Sequence, residues 1–449
     1  MDERHIRTSP TAPADTTPSP ATVNVSPGTA PSAPPAERAG LSAGGAWVGV
    51  RFPEGPDVSV ETLVGQVCEG EPLAVGDERI RGFIAGFGRR LLSPELARRH
   101  PELASLGFFL RPSELARILH GPRGDHLRAP RGLVFHVPPA NVDTIFVYSW
   151  ALSALMGNRN VVRLSPRAGP VAATITRTLH ESLADADPVV AATQRIVTYD
   201  RSDAVTGALS AACDLRVIWG GDATVGEIRR HPLAPHARDL TFPDRTSFAV
   251  LRAAAWLSAS AATRGAVAEG FANDAYWFDQ AACSSPRTVY WVGSPADCDA
   301  ARDGFTACLA RAVAQRGWSV DAAMAVEKRV ATYGLAADGQ VSAIDFHGNA
   351  LANVTLAEPE AAPRRWLGTG TFAHARIEGL GELARLVERR DQTMTHFGFV
   401  PAELELLAGA LGGRGVDRMV PVGSALSFHR VWDGVELTAE FTRLVTVIA

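Results

Sequence analysis

Cys283 sits in Asp279-Gln-Ala-Ala-Cys283-Ser-Ser-Pro286, a small-residue elbow between two periodic runs. Before it, Ala275 to Ala282 is apolar with helical spacing; after it, Thr288-Val-Tyr-Trp-Val292 is β-branched and aromatic and predicts a strand. A thiol at a helix-to-strand junction lies where backbone N–H groups converge. That suits a nucleophile that stabilises an oxyanion beside itself. A packing cysteine is the plainer alternative, and on this stretch alone it is the better one.

Three further stretches carry candidate chemistry. His136-Val137-Pro-Pro-Ala-Asn141 ends an apolar strand, and two prolines stiffen the approach to an amide that can donate to an oxyanion. Asn141 as a turn or helix cap is the simpler reading, and His136 alternates into the strand as a satisfied core residue. Arg163-Leu-Ser165-Pro-Arg167 offers a cation and a hydroxyl for the ribose or phosphate of a dinucleotide, with a solvated loop an even alternative. Trp219-Gly220-Gly221-Asp222-Ala-Thr-Val225-Gly226 places glycines between a strand and a helix N-terminus, where a pyrophosphate is favoured. It lacks the G-x-G-x-x-G pattern, so a tight turn explains it equally well.

The elements that would position these residues alternate. Residues 60–120 are largely helical by spacing (Ile80–Phe87, Leu103–Leu110, Leu115–Leu119). From Gly132 come strands at 132–137, 160–164, 195–199, 215–219 and 247–251, separated by helices at 142–156, 168–184, 203–211 and 224–230. Such alternation predicts a doubly wound parallel sheet. A second alternation follows Trp291, with helices at 295–317, 324–332 and 380–389 and weaker strands at 354–356 and 372–377. The terminal run Phe441–Ile448 predicts a strand that pairs with another sheet or subunit, since a free apolar edge aggregates.

Composition sets the outer bounds. The chain has 449 residues, 46% hydrophobic and 20% charged, with net charge -4, which gives no reason to expect nucleic-acid binding. No run reaches the ~18 apolar residues of a membrane span, and no signal-peptide pattern opens the chain, so a cytoplasmic location is expected. Five scattered cysteines give neither a disulfide framework nor a metal spacing. Cys68, Cys213 and Cys308 read as packing residues and Cys298 as a surface one. Residues 1–45 are rich in Pro, Ser, Thr and Ala without Phe, Trp or Tyr, which predicts a disordered tail.

In order and spacing, Arg128–Val134, the Pro-Pro-Ala-Asn141 strand end, Asn160–Arg163, Gly220–Gly226 and Cys283 together resemble the aldehyde dehydrogenase superfamily. Gln280-Ala-Ala-Cys-Ser-Ser-Pro286, Gln392-Thr-Met-Thr-His-Phe-Gly398, Arg418-Met-Val-Pro-Val-Gly423 and Trp432-Asp-Gly434 are similar to its acyl-CoA reductase (LuxC) family. The resemblance spans roughly residues 47–449. It implies an α/β fold, aldehyde dehydrogenase-like, with two doubly wound parallel-sheet domains and a small oligomerisation or bridging element. The implied divisions are 46–251 (helical region and dinucleotide-binding domain), 252–425 (catalytic domain) and 426–449 (bridging strand). It casts Cys283 as nucleophile and Asn141 with the Cys283 N–H as oxyanion hole. Arg163 stands for the usual ribose-binding lysine, with Ser165 beside it. Gly220, Gly221, Asp222 and Val225 fall at the dinucleotide turn, and Val137 at the strand end beneath the cofactor.

Two departures refine what the resemblance implies. The glutamate base of acid-forming relatives is absent from Asp239-Leu-Thr-Phe-Pro-Asp-Arg-Thr246. Trp366–Phe372 replaces the element that normally touches the nicotinamide ribose. The expectation is an NADPH-dependent reductase of acyl-CoA or carrier-bound acyl groups, acting as a homo-oligomer, with a possible acyl-transferring partner protein. The alternatives are an NAD(P)-dependent aldehyde dehydrogenase forming the acid, and a non-catalytic scaffold of the same fold.

Overall fold

Parallel strands buried on both faces dominate the architecture. The computed structural model describes residues 46–120, 126–139 and 141–448. The chain divides into two units, Met1–Gly44 and Gly45–Ala449; the first, with the tail expected over 1–45, lies outside the described residues. No described helix is long and apolar enough to cross a membrane.

The strands of the first half are β1 (Trp47–Phe52), β2 (Val58–Ser59), β3 (Leu127–Pro130), β4 (Leu133–Val137), β5 (Arg159–Arg163), β6 (Gln194–Thr198), β7 (Leu215–Trp219) and β8 (Arg238–Phe242). Seven of them form a sheet of order β2-β1-β6-β5-β4-β7-β8. β6, β5, β4, β7 and β8 run parallel, and β1 closes one side antiparallel. Helices cover both faces, so β4 and β7 are buried at every position and read as apolar runs, each interrupted by one hydrogen-bonded polar residue, His136 and Arg216. The helix Thr144–Leu155 is buried at all twelve residues, which is why it lacks a polar face. Gly157 ends it at φ +81, where a Cβ would stand 2.7 Å from the Ala74 carbonyl oxygen.

The second half supplies β9 (Thr246–Arg252), β10 (Pro286–Val292), β11 (Val341–His347), β12 (Leu351–Leu356), β13 (Thr371–Ile377), β14 (Asp391–Phe397), β15 (Arg418–Pro421), β16 (Val431–Trp432), β17 (Val435–Glu436) and β18 (Thr442–Val445). Its sheet has the order β11-β12-β13-β10-β9-β14-β15, parallel apart from β11. β18 pairs antiparallel with β3 of the same chain, leaving Leu127 and Leu444 exposed.

Four sequence assignments need correction. The strand expected fifth in the first sheet, 247–251, is β9 at the heart of the second; the fifth parallel strand is β8. A run buried on both faces states its depth, not its neighbours, so periodicity could not choose the sheet. The helix before the cysteine ends at Tyr276, not Ala282, because Asp279 and Gln280 turn left-handed at φ 51 and 57. Cys298 is buried on the inner side of its helix, although aspartates flank it in sequence. Cys68 is exposed at the last position of its helix.

Candidate functional site

The elbow around Cys283 is held from three sides. The Gln280 side chain, 1% exposed, donates through Nε2 to the carbonyl oxygens of Pro286 (2.9 Å) and Thr371 (3.0 Å), and its Oε1 accepts from the Thr371 N–H (3.1 Å). Trp366 Nε1 and Thr369 Oγ1 both donate to the Asp279 carbonyl, at 3.1 and 3.2 Å. Two consecutive left-handed non-glycine residues cost strain, and these contacts hold them in place. The Ser247 hydroxyl on β9 donates to the Cys283 carbonyl (2.7 Å) and accepts from the Thr393 N–H on β14 (3.1 Å). Ser285 Oγ donates to the Asp274 carbonyl (2.7 Å). Among the described residues the Cys283 N–H has no intramolecular acceptor, which leaves it free for an oxyanion.

Cys283 opens into a cavity of about 130 Å³ between the carboxyl ends of the first sheet's strands and the amino ends of the second's. Asn141 lies on its wall, as do Gly220 and Gly221. Aromatic side chains supply much of the lining, with Phe242 stacked on Trp219 at a ring separation of 3.7 Å. A loop completes the wall with Leu426 and Phe428. Asp274 pins that loop, accepting from the N–H groups of Gly423 (2.6 Å) and Ala425 (2.9 Å). Arg418 donates to the carbonyls of Ala425, Ser424 and Ser427 at 2.7–3.0 Å.

Burial, more than the charges bordering the cavity, opposes easy ionisation of the thiol. Desolvation, then the nearby Asp433 carboxylate, push the Cys283 thiol up to about 12. Part of the residue's surface stays accessible, and because Cys283 lines the cavity a substrate can reach it there. The crowded sulfur governs its ionisation; the open surface governs its reach. Asp433 stands on the same wall in a left-handed turn (φ 50) between β16 and β17. Burial raises its carboxyl to about 6 against the favourable pull of Gln392, Arg245 and Arg418.

The structure unites Cys283, Asn141, Gly220 and Gly221, but not every expected residue. Val137 and Val225 are core residues packed with Leu63 and Ile218 and do not reach the cavity. Asp222 begins the helix Asp222–Arg229, and its Oδ1 accepts from the Asp244 N–H (3.1 Å). Ser165 lines a separate cleft with Arg51, Arg177 and His180. Arg163, at the end of β5, lies over the Tyr199 ring at 4.8 Å with its buried Nε unpartnered. His136 is a core residue as expected, bound to Ser149 (2.8 Å) and Asn160 (2.9 Å), and burial lowers it to about 4.

These residues fit a dinucleotide. No side chain caps the helix Asp222–Arg229, and nothing lies within 4 Å of where a Gly221 Cβ would stand, so an anion can approach its first N–H groups. The orphaned Arg163 Nε adds an unused donor at the end of β5, two strands along the same sheet edge from β7. Sequence reasoning gave no role to Ser247, Gln392, Arg245 or Asp433. Asp433 carried a usable signal, a carboxylate between Trp432 and Gly434 in a Trp-Asp-Gly turn.

Residues 111–332 match the model of the family described as acyl-CoA reductase (LuxC). Over that stretch the chain is similar to that family. Two curated relatives lie in the same direction. A long-chain acyl-protein thioester reductase of Aliivibrio fischeri is 25% identical over 175 residues, 38% of this chain. Long-chain acyl-protein thioester reductase 2 of Photobacterium leiognathi is 27% identical over 183 residues, 39% of this chain. The matched stretches span only 35% and 36% of those relatives' own lengths. Solved structures establish the fold over a longer span. Aldehyde dehydrogenase 21 of Physcomitrella patens superposes with TM-score 0.63 at 11% identity, covering 90% of this chain and 95% of that one. A putative aldehyde dehydrogenase of Burkholderia cenocepacia gives 0.61 at 16%, covering 90% and 96%. The LuxC-family match thus carries both sheet-end loops and Cys283 on an aldehyde dehydrogenase-like α/β fold with two parallel-dominated sheets.

Proposed function

We propose that the chain reduces fatty acyl thioesters to aldehydes through a thioacyl group on Cys283. The supporting observation is the shared cavity. An elbow thiol, an amide donor at a strand end and an open helix N-terminus line one apolar space, within the LuxC-family match. Cys283 attacks the thioester carbonyl, and the Asn141 amide with the Cys283 N–H receives the negative charge on oxygen. The thiol of CoA or of a carrier departs, leaving the acyl group on sulfur. The aromatic wall holds the alkyl chain and excludes water.

Gly220, Gly221 and the helix start behind Asp222 would hold a dinucleotide pyrophosphate, with Arg163 on the ribose side and Val137 and Val225 packing beneath. When bound, this cofactor supplies the hydride that carries the acyl carbon to the aldehyde level. Cys283 then leaves the tetrahedral carbon as thiolate and is free for another turn. Arg163 and Arg167 lead us to NADPH over NADH. The β3–β18 ribbon, with Leu127 and Leu444 exposed, is the edge we assign to homo-oligomer contact.

The missing glutamate favours reduction over acid formation. Asp239, the acid at the head of that segment, is committed to Arg216 at 2.7 and 2.9 Å. Supplying octanoyl-CoA and NADPH, and measuring NADPH consumption together with aldehyde, tests the proposal. Aldehyde in step with NADPH is expected. No aldehyde from octanoyl-CoA, together with NAD(P)⁺-dependent oxidation of octanal to octanoic acid without CoA, would support the acid-forming alternative.

A further inference from the structure

A thiol buried beside a carboxylate does not ionise unaided, and the proposed chemistry needs its proton removed. Cys283 and Asp433 line the same small cavity. Asp433 is fixed from below, since Gln392 Nε2 donates to its Oδ1. Gln392 Oε1 in turn accepts from Ser284 Oγ (3.5 Å), the residue next to the nucleophile. Gln392 is itself buried at 2% exposure and belongs to β14, so the link between the two reacting residues runs through the sheet. Asp433 Oδ2 accepts no hydrogen bond among the described residues. Its left-handed backbone is a conformation that a non-glycine residue keeps only where the surroundings impose it.

We propose that Asp433 is the proton-transferring group of the acylation step. The inference rests on the thioester-reductase reading and names a residue with no counterpart in the absent glutamate segment. Asp433 Oδ2 takes the proton of the Cys283 thiol as the sulfur–carbon bond forms. The tetrahedral adduct collapses, the bond from carbon to the departing sulfur breaks, and Asp433 returns the proton to that sulfur. A free thiol leaves, Asp433 ends ionised as it began, and nothing is oxidised or reduced.

The surrounding charges suit a group that must be a base near neutrality. Arg245 and Arg418 favour its ionised form, while burial and Asp417 oppose it. Arg245 is itself tied to Asp417, which keeps that cation from neutralising Asp433 outright. Arg287 acts on the thiol side, favouring the thiolate. Tyr148, across the aromatic wall, stays protonated because burial and then Asp433 raise its phenol.

Acylation precedes any use of the cofactor, so it can be read alone. Purified full-length protein is mixed with octanoyl-CoA without NADPH, and the mass added at Cys283 is followed in time from about pH 5 to about pH 8. Wild type should acylate faster as pH rises through about 6, where Asp433 ionises, and then level off. Asp433→Asn should slow acylation roughly 100-fold, the smaller end of what a positioned base contributes, and lose that limb. Asp433→Glu should recover part of the rate. Asp433→Asn acylating at the wild-type rate, or keeping the limb near 6, overturns the proposal. Should thermal melting show that Asp433→Asn does not fold, wild type decides: a flat profile overturns, and a limb near 6 with a slower rate in D₂O supports. Wild type that never acquires the acyl group overturns the thioester reading itself, a different result from either.

Discussion

Cys283 is positioned through its backbone. Ser247 holds its carbonyl, and Gln280 ties the preceding turn to β10 and β13. Truncating Gln280 to Ala would remove three hydrogen bonds in a dry site, two that it donates to the carbonyls of Pro286 and Thr371 and one that it accepts from the Thr371 N–H, which would keep only the Gly368 carbonyl at 3.2 Å. A loss of about 2 kcal/mol or more in urea unfolding is expected, since each lost hydrogen bond is worth about 0.5–1.5 kcal/mol. Acylation of Cys283 should fall with it, because the left-handed turn loses its staple. A Gln280→Ala protein with wild-type stability and rate would show that the elbow holds itself. At this scale the sequence pointed to the thiol and the amide that share the cavity, where residue type suggests the chemistry. It was mute about Ser247 and Gln280, whose parts depend on partners 36 and 91 residues away in the chain.

The elements facing one another across the cavity differ in how they are secured. The helix Ala261–Tyr276 reaches the wall through Asp274, which holds the loop before Leu426 by two backbone N–H groups. That loop is otherwise short of regular structure, so Asp274 and Arg418 together fix where the apolar wall stands. Asp274→Ala should destabilise the protein by roughly 2 kcal/mol or more. It should also raise KM for long-chain acyl thioesters more than for acetyl-CoA, measured as a ratio across chain lengths; an unchanged ratio would remove the loop from substrate recognition. Most elements were legible because helical and strand periods differ and most boundaries carry Gly or Pro. The misplacement of β9 has a physical origin. Phe248 to Leu251 are buried whichever sheet receives them, and only pairing with β10 and β14 settles it. Likewise the Trp-Asp-Gly turn reveals its carboxylate only when β16 and β17 fold back over β14, 41 residues from Gln392.

For the whole molecule, the buried titratable groups set how stability follows pH. His374 accepts from Trp291 Nε1 at Nδ1 (3.1 Å) and meets Asn353 Oδ1 through Nε2 (3.1 Å), a neutral ring with both nitrogens engaged. Burial and then Arg302 lower it from 6.5 to about 3. Unfolded chains therefore take up this proton first, and stability drops as pH falls through that window. Asp274 and Asp433, raised to about 7 and about 6, act in the opposite sense. They keep their protons longer in the fold and add stability as pH falls from those values towards 3.8. His374→Gln isolates the first contribution. Below pH 6 the wild type should lose stability more steeply than the variant, by up to about 1.4 kcal/mol per pH unit; equal slopes in urea unfolding would refute a buried neutral His374. The overall architecture was accessible from strand–helix alternation and from the ordered set Asn141, Arg163, Gly221 and Cys283, which no single stretch would have carried. Everything proposed for the cavity depends on an acyl group being loaded onto Cys283, which intact-protein mass spectrometry after octanoyl-CoA treatment reads without intermediary. One octanoyl group is expected, mapped to Cys283, persisting in buffer, discharged as octanal when NADPH is added, and absent from Cys283→Ala; no adduct on the wild type, or full aldehyde production by Cys283→Ala, would overturn the proposal.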